Sequence, residues 1–304
     1  MMNSLCESDR RGDKYLEPVR KIVCNAPQVV SLEVTTRCQL DCIYCTRDKE
    51  NPEDFLLEHL EQLLEHLEGV RNLIICGMGE SFCYKDIYEL IWSLRDYKVS
   101  IITNGAVLID FEKLNQEGNV ELLVFSIDAT TKEKMDVIAK NYNFDVLKKN
   151  LSNLKRYPNI VGIINSTMNE SNLDEITNLV EFAALHGLQA ISYGLPIGEE
   201  EFISENKEKI KSLITEAVQL ANKKHIIINQ PYRLSCNTKG SIVPNIRLDG
   251  EVYPCCNGMN QNEAIGNLYK QSLRKLWTEY ATPLLTSDFC KECKLLNNLL
   301  RIAE

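Results

Sequence analysis

Cys38, Cys42 and Cys45 stand in a Cys-x3-Cys-x2-Cys spacing within Cys38-Gln-Leu-Asp-Cys42-Ile-Tyr-Cys45. Three thiolates on so short a loop can hold a metal centre. A cubic iron–sulfur cluster has four irons, each needing a ligand, so three cysteines bind three of them and leave the fourth open to substrate or cosubstrate. The same thiolates, completed by a fourth ligand elsewhere, would also suit zinc. Cys236, Cys255, Cys290 and Cys293 form a second constellation: Cys255 closes Gly250-Glu-Val-Tyr-Pro-Cys255, and Cys290-Lys-Glu-Cys293 is a Cys-x2-Cys pair. Four thiolates can fully ligate a zinc ion or a 4Fe-4S cluster.

The chain has 304 residues, 12 of them cysteine, and the N-terminal stretch carries no apolar secretory segment. Cysteines in that context are better explained by metal binding or catalysis than by disulfides, and a cytoplasmic protein is expected. Lys and Arg total 34 against 43 Asp and Glu, a net charge of -9, which repels a phosphate backbone and makes nucleic acid an unexpected partner. No stretch is apolar enough to span a membrane. His59, His66, His186 and His225 show no metal spacing, and the first two read as surface positions on a helix.

The elements that must position these cysteines alternate. Val29 to Thr36 is β-branched and alternating, a strand ending just before the first cysteine cluster. A helix follows over 53–68, with Leu56, Leu60, Leu63 and Leu67 on one face. The pattern then repeats: strand 72–76, helix 86–97, strand 99–103, helix 110–117, strand 121–127, a helical stretch over 132–155, strand 160–167, helix 173–186 and strand 188–195. A long helix over 205–223, with Ser204 as its cap, completes six strand–helix units. Such alternation predicts a parallel sheet, either doubly wound or a full or partial barrel. After a short strand at 225–229 the character changes. Asp249-Gly250 between two alternating runs predicts a hairpin, and a helix is expected over 272–280.

The stretch LEVTTRCQLDCIYC resembles the first-strand signature of the radical S-adenosylmethionine (SAM) superfamily, whose CxxxCxΦC loop binds a 4Fe-4S cluster; Tyr44 takes the aromatic place. Gly77-Met78-Gly79-Glu80 is similar to the turn that holds the SAM amino group in that family, although Ser81 stands where proline is frequent. Thr103-Asn104 and Ser126-Ile127-Asp128 end the next two strands, where family members contact the ribose and carboxylate. Without any family, the four groups fall at the carboxyl ends of four consecutive strands, where parallel α/β folds bind ligands. Gly77 and Gly79 let backbone come close, Glu80 supplies negative charge, and Ser126 and Asp128 can bond sugar hydroxyls.

The resemblance implies a partial (β/α)6 TIM-like barrel over 28–229, after a lead-in at 1–27. A small α+β, hairpin-containing domain at 230–304 resembles SPASM and twitch extensions, with an auxiliary 4Fe-4S cluster on Cys236, Cys255, Cys290 and Cys293. No cysteine follows Cys293, so the one-cluster twitch form fits better and two clusters in all are expected. The implied activity is reductive cleavage of SAM and hydrogen abstraction from a sugar, aminocyclitol or peptide, giving oxidation or epimerisation, with a flavodoxin- or ferredoxin-type electron donor. The lack of a C-terminal arginine-bearing glycine tail disfavours a GTP cyclase. Only about 27 residues precede the first strand, which favours a small molecule or short peptide. Cys256 could replace Cys255 as a ligand or, as in radical SAM epimerases, donate a hydrogen atom. Cys83, just beyond the glutamate turn, is a weaker candidate for that donation. A non-catalytic iron–sulfur or zinc protein, an electron carrier or binding module, is the alternative.

Overall fold

The structure, a computed structural model, describes residues 27–196, 199–229, 243–255, 259 and 262–285. Seven parallel strands stand side by side in this order: β1 (Val29–Glu33), β3 (Asn72–Cys76), β4 (Lys98–Thr103), β5 (Val120–Ser126), β7 (Val161–Thr167), β8 (Ala190–Gly194) and β9 (Ile227–Asn229). Two-residue strands β2 (Asp41–Cys42) and β6 (Ala139–Lys140) pair with each other outside this sheet. Helices fill the crossovers: α1 (Leu60–Glu65), α2 (Ile87–Ser93), α3 (Phe111–Leu114), α4 (Lys132–Ile138), α5 (Phe144–Leu154), α6 (Ile176–His186) and α7 (Glu200–Lys224). Six strand–helix units thus make a partial TIM-like barrel; among the described residues the two ends of its sheet do not pair.

Alternation along the strands explains why the sheet curves around an interior. In β5, β7 and β8 every second residue, Leu123, Phe125, Ile164 and Ile191 among them, is fully buried beneath the helices. Each such side chain stabilises the fold by roughly 1.5–3 kcal/mol. The intervening residues face the barrel interior and change character with height. Val124, Ile163, Ala190 and Ile227 form one apolar row across neighbouring strands. Two residues nearer the carboxyl ends, Ser126, Asn165, Ser192 and Asn229 form a polar row in the same register.

Several expected helices differ at their ends for identifiable reasons. Residues 53–55 are extended because Thr36 N–H donates to Glu53 O and Phe55 N–H to Val34 O, both at 2.9 Å. The first helix therefore begins at a short 3-10 turn, Leu57–His59, and Leu56 lies exposed outside it. The helical stretch expected over 132–155 is broken at β6, which pairs with the cysteine loop; Asn143 then caps α5 through its bond from Val146 N–H. Ser204 is not a cap. The long helix starts at Glu200, and Ser204 Oγ donates back to Glu200 O at 2.9 Å from inside it.

The C-terminal segment extends the barrel sheet. β10 (Asn245–Ile246) joins β1 in parallel, and β11 (Glu251–Tyr253) and β12 (Gly266–Asn267) continue antiparallel. Asp249-Gly250 makes the expected hairpin turn, with Gly250 at φ +80° and no room for a Cβ, which would lie 2.7 Å from the Tyr269 ring. This segment also docks on α1. Gln62 Nε2 donates to Tyr269 O at 3.0 Å, the His59 and Tyr269 rings meet edge-on at 5.1 Å, and His66 Nδ1 bonds Leu268 O. His59 and His66 are therefore half-buried interface residues, contrary to the surface reading. α8 (Leu273–Leu276) is capped by Ser272 and passes through a wider π turn, Trp277–Ala281, into α9 (Thr282–Leu285).

Candidate active site

The cysteine loop leaves β1 and is held by contacts that no spacing argument reveals. Cys42 sits in β2, and Ile43 N–H donates to Ile138 O at 2.9 Å, so β6 supports the loop from beneath. Arg47 reaches back to accepting carbonyls of Leu40 at 2.8 Å and Cys38 at 3.4 Å. Gln39 and Asn104 form a reciprocal carboxamide pair, with Gln39 Nε2 donating to Asn104 Oδ1 at 3.1 Å and Asn104 Nδ2 to Gln39 Oε1 at 3.4 Å. Asn104 Nδ2 also approaches Cys38 Sγ at 3.8 Å, and Cys83 Sγ donates to Gln39 Oε1 at 3.5 Å.

The three thiols are half-buried. Burial pushes the Cys42 thiol up to about 12, with the charges of Cys38, Cys45 and Asp128 adding and Arg47 opposing. Burial likewise raises Cys38, whose sulfur accepts from Leu40 N–H at 3.4 Å. Thiols so placed ionise readily only against a cationic centre. Among the described residues no three His, Cys, Asp or Glu side chains close on a point where a single metal ion could sit. Three thiolates on one loop are the donor set of a polynuclear cluster in which each takes its own iron, whereas mononuclear zinc would need a fourth ligand.

The other three segments meet this loop. Gly79 N–H donates to Thr35 O at 3.0 Å and Glu80 N–H to Arg37 O at 2.7 Å. A Cβ on Gly77 would lie 2.8 Å from Thr35 O, and one on Gly79 only 2.3 Å from Arg37 O. The two glycines therefore let the turn press against the chain that carries the cysteines. Glu80 is buried and raised by that burial; its carboxylate accepts from Thr103 Oγ1 at 2.6 Å, Asn104 N–H at 2.6 Å and Phe82 N–H at 3.1 Å. It ties the turn to the end of β4, and Thr103, 1% exposed, belongs to that tie. Met78 N–H donates to Glu33 Oε1 at 3.0 Å.

Asp128 is similarly committed. Tyr44 Oη donates to its Oδ2, while Oδ1 accepts from Thr167 N–H at 2.8 Å and Ser166 Oγ at 3.2 Å. Ser126 remains half-buried in the polar row, beside Asn165. Asn165, Ser192 and Asn229 of that row border a cavity of about 800 Å³, which Tyr44, Cys45 and Thr167 also line.

The structure thus brings Cys38, Cys42, Cys45, Tyr44, Gly77, Met78, Gly79, Glu80, Thr103, Asn104, Ser126 and Asp128 to one end of the barrel. Gln39, Arg47, Asn165 and Thr167 belong with them and went unnoticed in the sequence, though an arginine two residues past Cys45 was a usable signal. Cys255 is half-buried just after β11. Cys236, Cys256, Cys290 and Cys293 lie outside the described residues. Among the described residues no helix is long and apolar enough to cross a membrane.

A family model described as the radical SAM superfamily matches residues 32–183, and one described as an iron–sulfur cluster-binding domain, SPASM, matches residues 236–294. A probable GTP 3',8-cyclase of Pyrococcus abyssi is 28% identical over 166 residues, 50% of this chain and 51% of that protein. The chain thus spans about half the length of this cyclase relative. The sporulation killing factor maturation protein SkfB of Bacillus subtilis is 25% identical over 90% of this chain and 70% of its own length. SuiB of Streptococcus suis, solved bound to S-adenosylmethionine, has the same fold with a TM-score of 0.69 at 16% identity, covering 89% of this chain and 71% of SuiB. SuiB has also been solved bound to its precursor peptide SuiA.

Proposed function

The chain belongs to the radical SAM superfamily and carries a SPASM iron–sulfur domain, and we propose that it reductively cleaves SAM and takes a hydrogen atom from a C–H bond of a peptide or sugar-like substrate. One observation carries this reading: the cysteine loop, the Gly77–Glu80 turn, Asn104 and Ser126 lie together at the carboxyl ends of β1, β3, β4 and β5, and the cysteine loop borders a cavity through Ile43, Tyr44 and Cys45. Cys38, Cys42 and Cys45 would hold a 4Fe-4S cluster, which would supply the electron for reductive cleavage of SAM to methionine and a 5′-deoxyadenosyl radical.

The chain's own residues position the reactants. Arg47 and the Gln39–Asn104 pair fix the cysteine loop, and Glu80 fixes the turn beside it. Asn165, Ser192 and Asn229 offer hydroxyl and amide groups to a polar ligand in the cavity. A cavity of about 800 Å³ suits a small-molecule ligand or part of a longer one. SkfB, a maturation protein, and SuiB, solved with a precursor peptide, favour a peptide substrate. Cys236, Cys255, Cys290 and Cys293 would hold an auxiliary 4Fe-4S cluster as electron acceptor, which makes the net reaction an oxidation, and a flavodoxin- or ferredoxin-type protein would deliver the initial electron. Epimerisation would instead need a hydrogen donor, for which Cys256 is placed by sequence beside Cys255.

The test is formation of 5′-deoxyadenosine from SAM by the anaerobically reconstituted chain under strong reductant, beside a Cys38/Cys42/Cys45→Ala variant. Iron per chain should fall from about eight to about four in the variant, which should make no 5′-deoxyadenosine. A fully loaded wild type that leaves SAM intact would establish the electron-carrier reading instead. Once a substrate is known, Cys256→Ala separates the two outcomes, because only an epimerase loses product while still cleaving SAM.

A further inference from the structure

Glu33 is the one acidic residue of β1, and at 4% exposure it is almost wholly removed from water. A buried carboxylate must be paired and hydrogen-bonded to stay charged. Its two oxygens serve two different parts of the molecule. Oε1 accepts the N–H of Met78, in the middle of the Gly77–Glu80 turn, at 3.0 Å. Oε2 accepts from Arg247 Nε of the C-terminal hairpin at 2.7 Å.

The placement of Arg247 follows from the sheet. β10 pairs with β1 in the register Ser31 to Asn245 and Leu32 to Ile246, which sets Arg247 level with Glu33. The hairpin then fixes the arginine's backbone: its N–H donates to Glu251 O and its carbonyl accepts from Gly250 N–H, both at 2.9 Å. A guanidinium presents its donors in a fixed planar fork, so this contact orients the Glu33 carboxylate. The other carboxylate oxygen is thereby turned towards Met78 N–H, for which it is the acceptor.

We propose that Arg247 is a positioning residue through which the C-terminal cluster domain sets the SAM-binding turn, acting by way of the Glu33 carboxylate on Met78. This rests on the assignment of the Gly77–Glu80 turn to SAM. Without Arg247, the Glu33 side chain loses the partner that orients it and swings away, and the turn loses the acceptor that fixes its central peptide. The two domains are then coupled before any electron moves between them.

The experiment is equilibrium dialysis of SAM against the full reconstituted chain, with iron content and thermal midpoint measured on each sample. Arg247→Met should weaken SAM binding about tenfold, within the usual range of site-to-site coupling, at unchanged iron content. Arg247→Lys should recover most of the affinity, because an ammonium can still reach Oε2. Glu33→Gln keeps an acceptor for Met78 but breaks the ion pair, so it should weaken binding similarly, and the double variant should lose little more. Wild-type SAM affinity in Arg247→Met overturns the proposal, whether or not its thermal midpoint falls. Failure of the underlying reading looks different: either the loaded wild type does not bind SAM, or Gly79→Ala binds it normally.

Discussion

Tyr44 donates its hydroxyl to Asp128 across 84 residues of sequence, fastening the cysteine loop to the end of β5. Asp128 is 3% exposed, so the tyrosine supplies part of what keeps a buried carboxylate in place. Burial raises the acid, and the bonds from Tyr44, Thr167 and Ser166 oppose that rise. Tyr44→Phe removes one donor and leaves Oδ2 without it, at a cost of about 1.5–3 kcal/mol for a bond to a charged group. The expected outcome is a lower thermal midpoint and faster loss of iron to a chelator. Unchanged iron release would show that the loop needs no such tether.

Asn104 bears on the electron as well as on the loop it helps to fix. Its amide N–H points at Cys38 Sγ, and hydrogen bonds to cluster sulfurs help to set reduction potentials. Such a bond stabilises the more negative, reduced state, so Asn104→Ala should move the midpoint of the SAM-binding cluster to more negative potential. A redox titration followed by electron paramagnetic resonance reads this directly. Gln39→Ala should shift it in the same direction, because Gln39 orients the Asn104 carboxamide. An unmoved midpoint in both variants would refute the role.

Gly79→Ala tests the close packing of the turn on the cysteine segment. The added methyl would meet Arg37 O at 2.3 Å and Thr36 C at 2.6 Å, both backbone atoms that cannot rotate away. Overpacking of this kind costs about 1–3 kcal/mol, and relief must come by moving the turn and the loop apart. Thermal unfolding should show the loss of stability, and SAM binding by dialysis should weaken more than tenfold. A variant with wild-type affinity would mean that the spacing between turn and loop is slack.

Where the chain shows a period, the fold was legible. Strand 72–76 coincides with β3, and Asp249-Gly250 gives the hairpin, because alternation and turn chemistry are local properties. The cysteine loop and the three segments that meet it were legible for a similar reason: each follows a strand, and parallel strands deliver their carboxyl ends to one place. What stayed hidden depends on partners distant in sequence. The sequence marks Glu80 as a negative charge, but not that its oxygens accept from Phe82, Thr103 and Asn104. Glu33 read as one more strand residue, since nothing local marks it as the partner of Arg247, 214 residues away. The break at β6 likewise follows from pairing with the cysteine loop, which overrides the helical preference of residues 132–155.

Glu175 gives a prediction in pH. It lies 1% exposed just before α6, where it accepts from Thr130 N–H at 2.8 Å, Thr130 Oγ1 at 2.6 Å and Lys134 Nζ at 2.6 Å. These bonds anchor the turn that follows Asp128. Burial alone would raise its carboxyl, but Lys134, the two Thr130 groups and Asn178 prevail and hold it down at about 2, from an ordinary 4.5. A folded value below the unfolded one means that the unfolded chain binds the extra proton, so stability from this carboxylate is complete above pH 4.5 and is lost as the pH falls towards 2. Glu175→Gln removes that contribution at neutral pH and resembles the protonated wild type in acid. Thermal unfolding of the two proteins should therefore differ most near neutral pH, with the gap narrowing steadily below pH 4.5. A gap that stays constant down to acid would mean that Glu175 keeps an ordinary affinity for its proton and that the turn after Asp128 is held by packing alone.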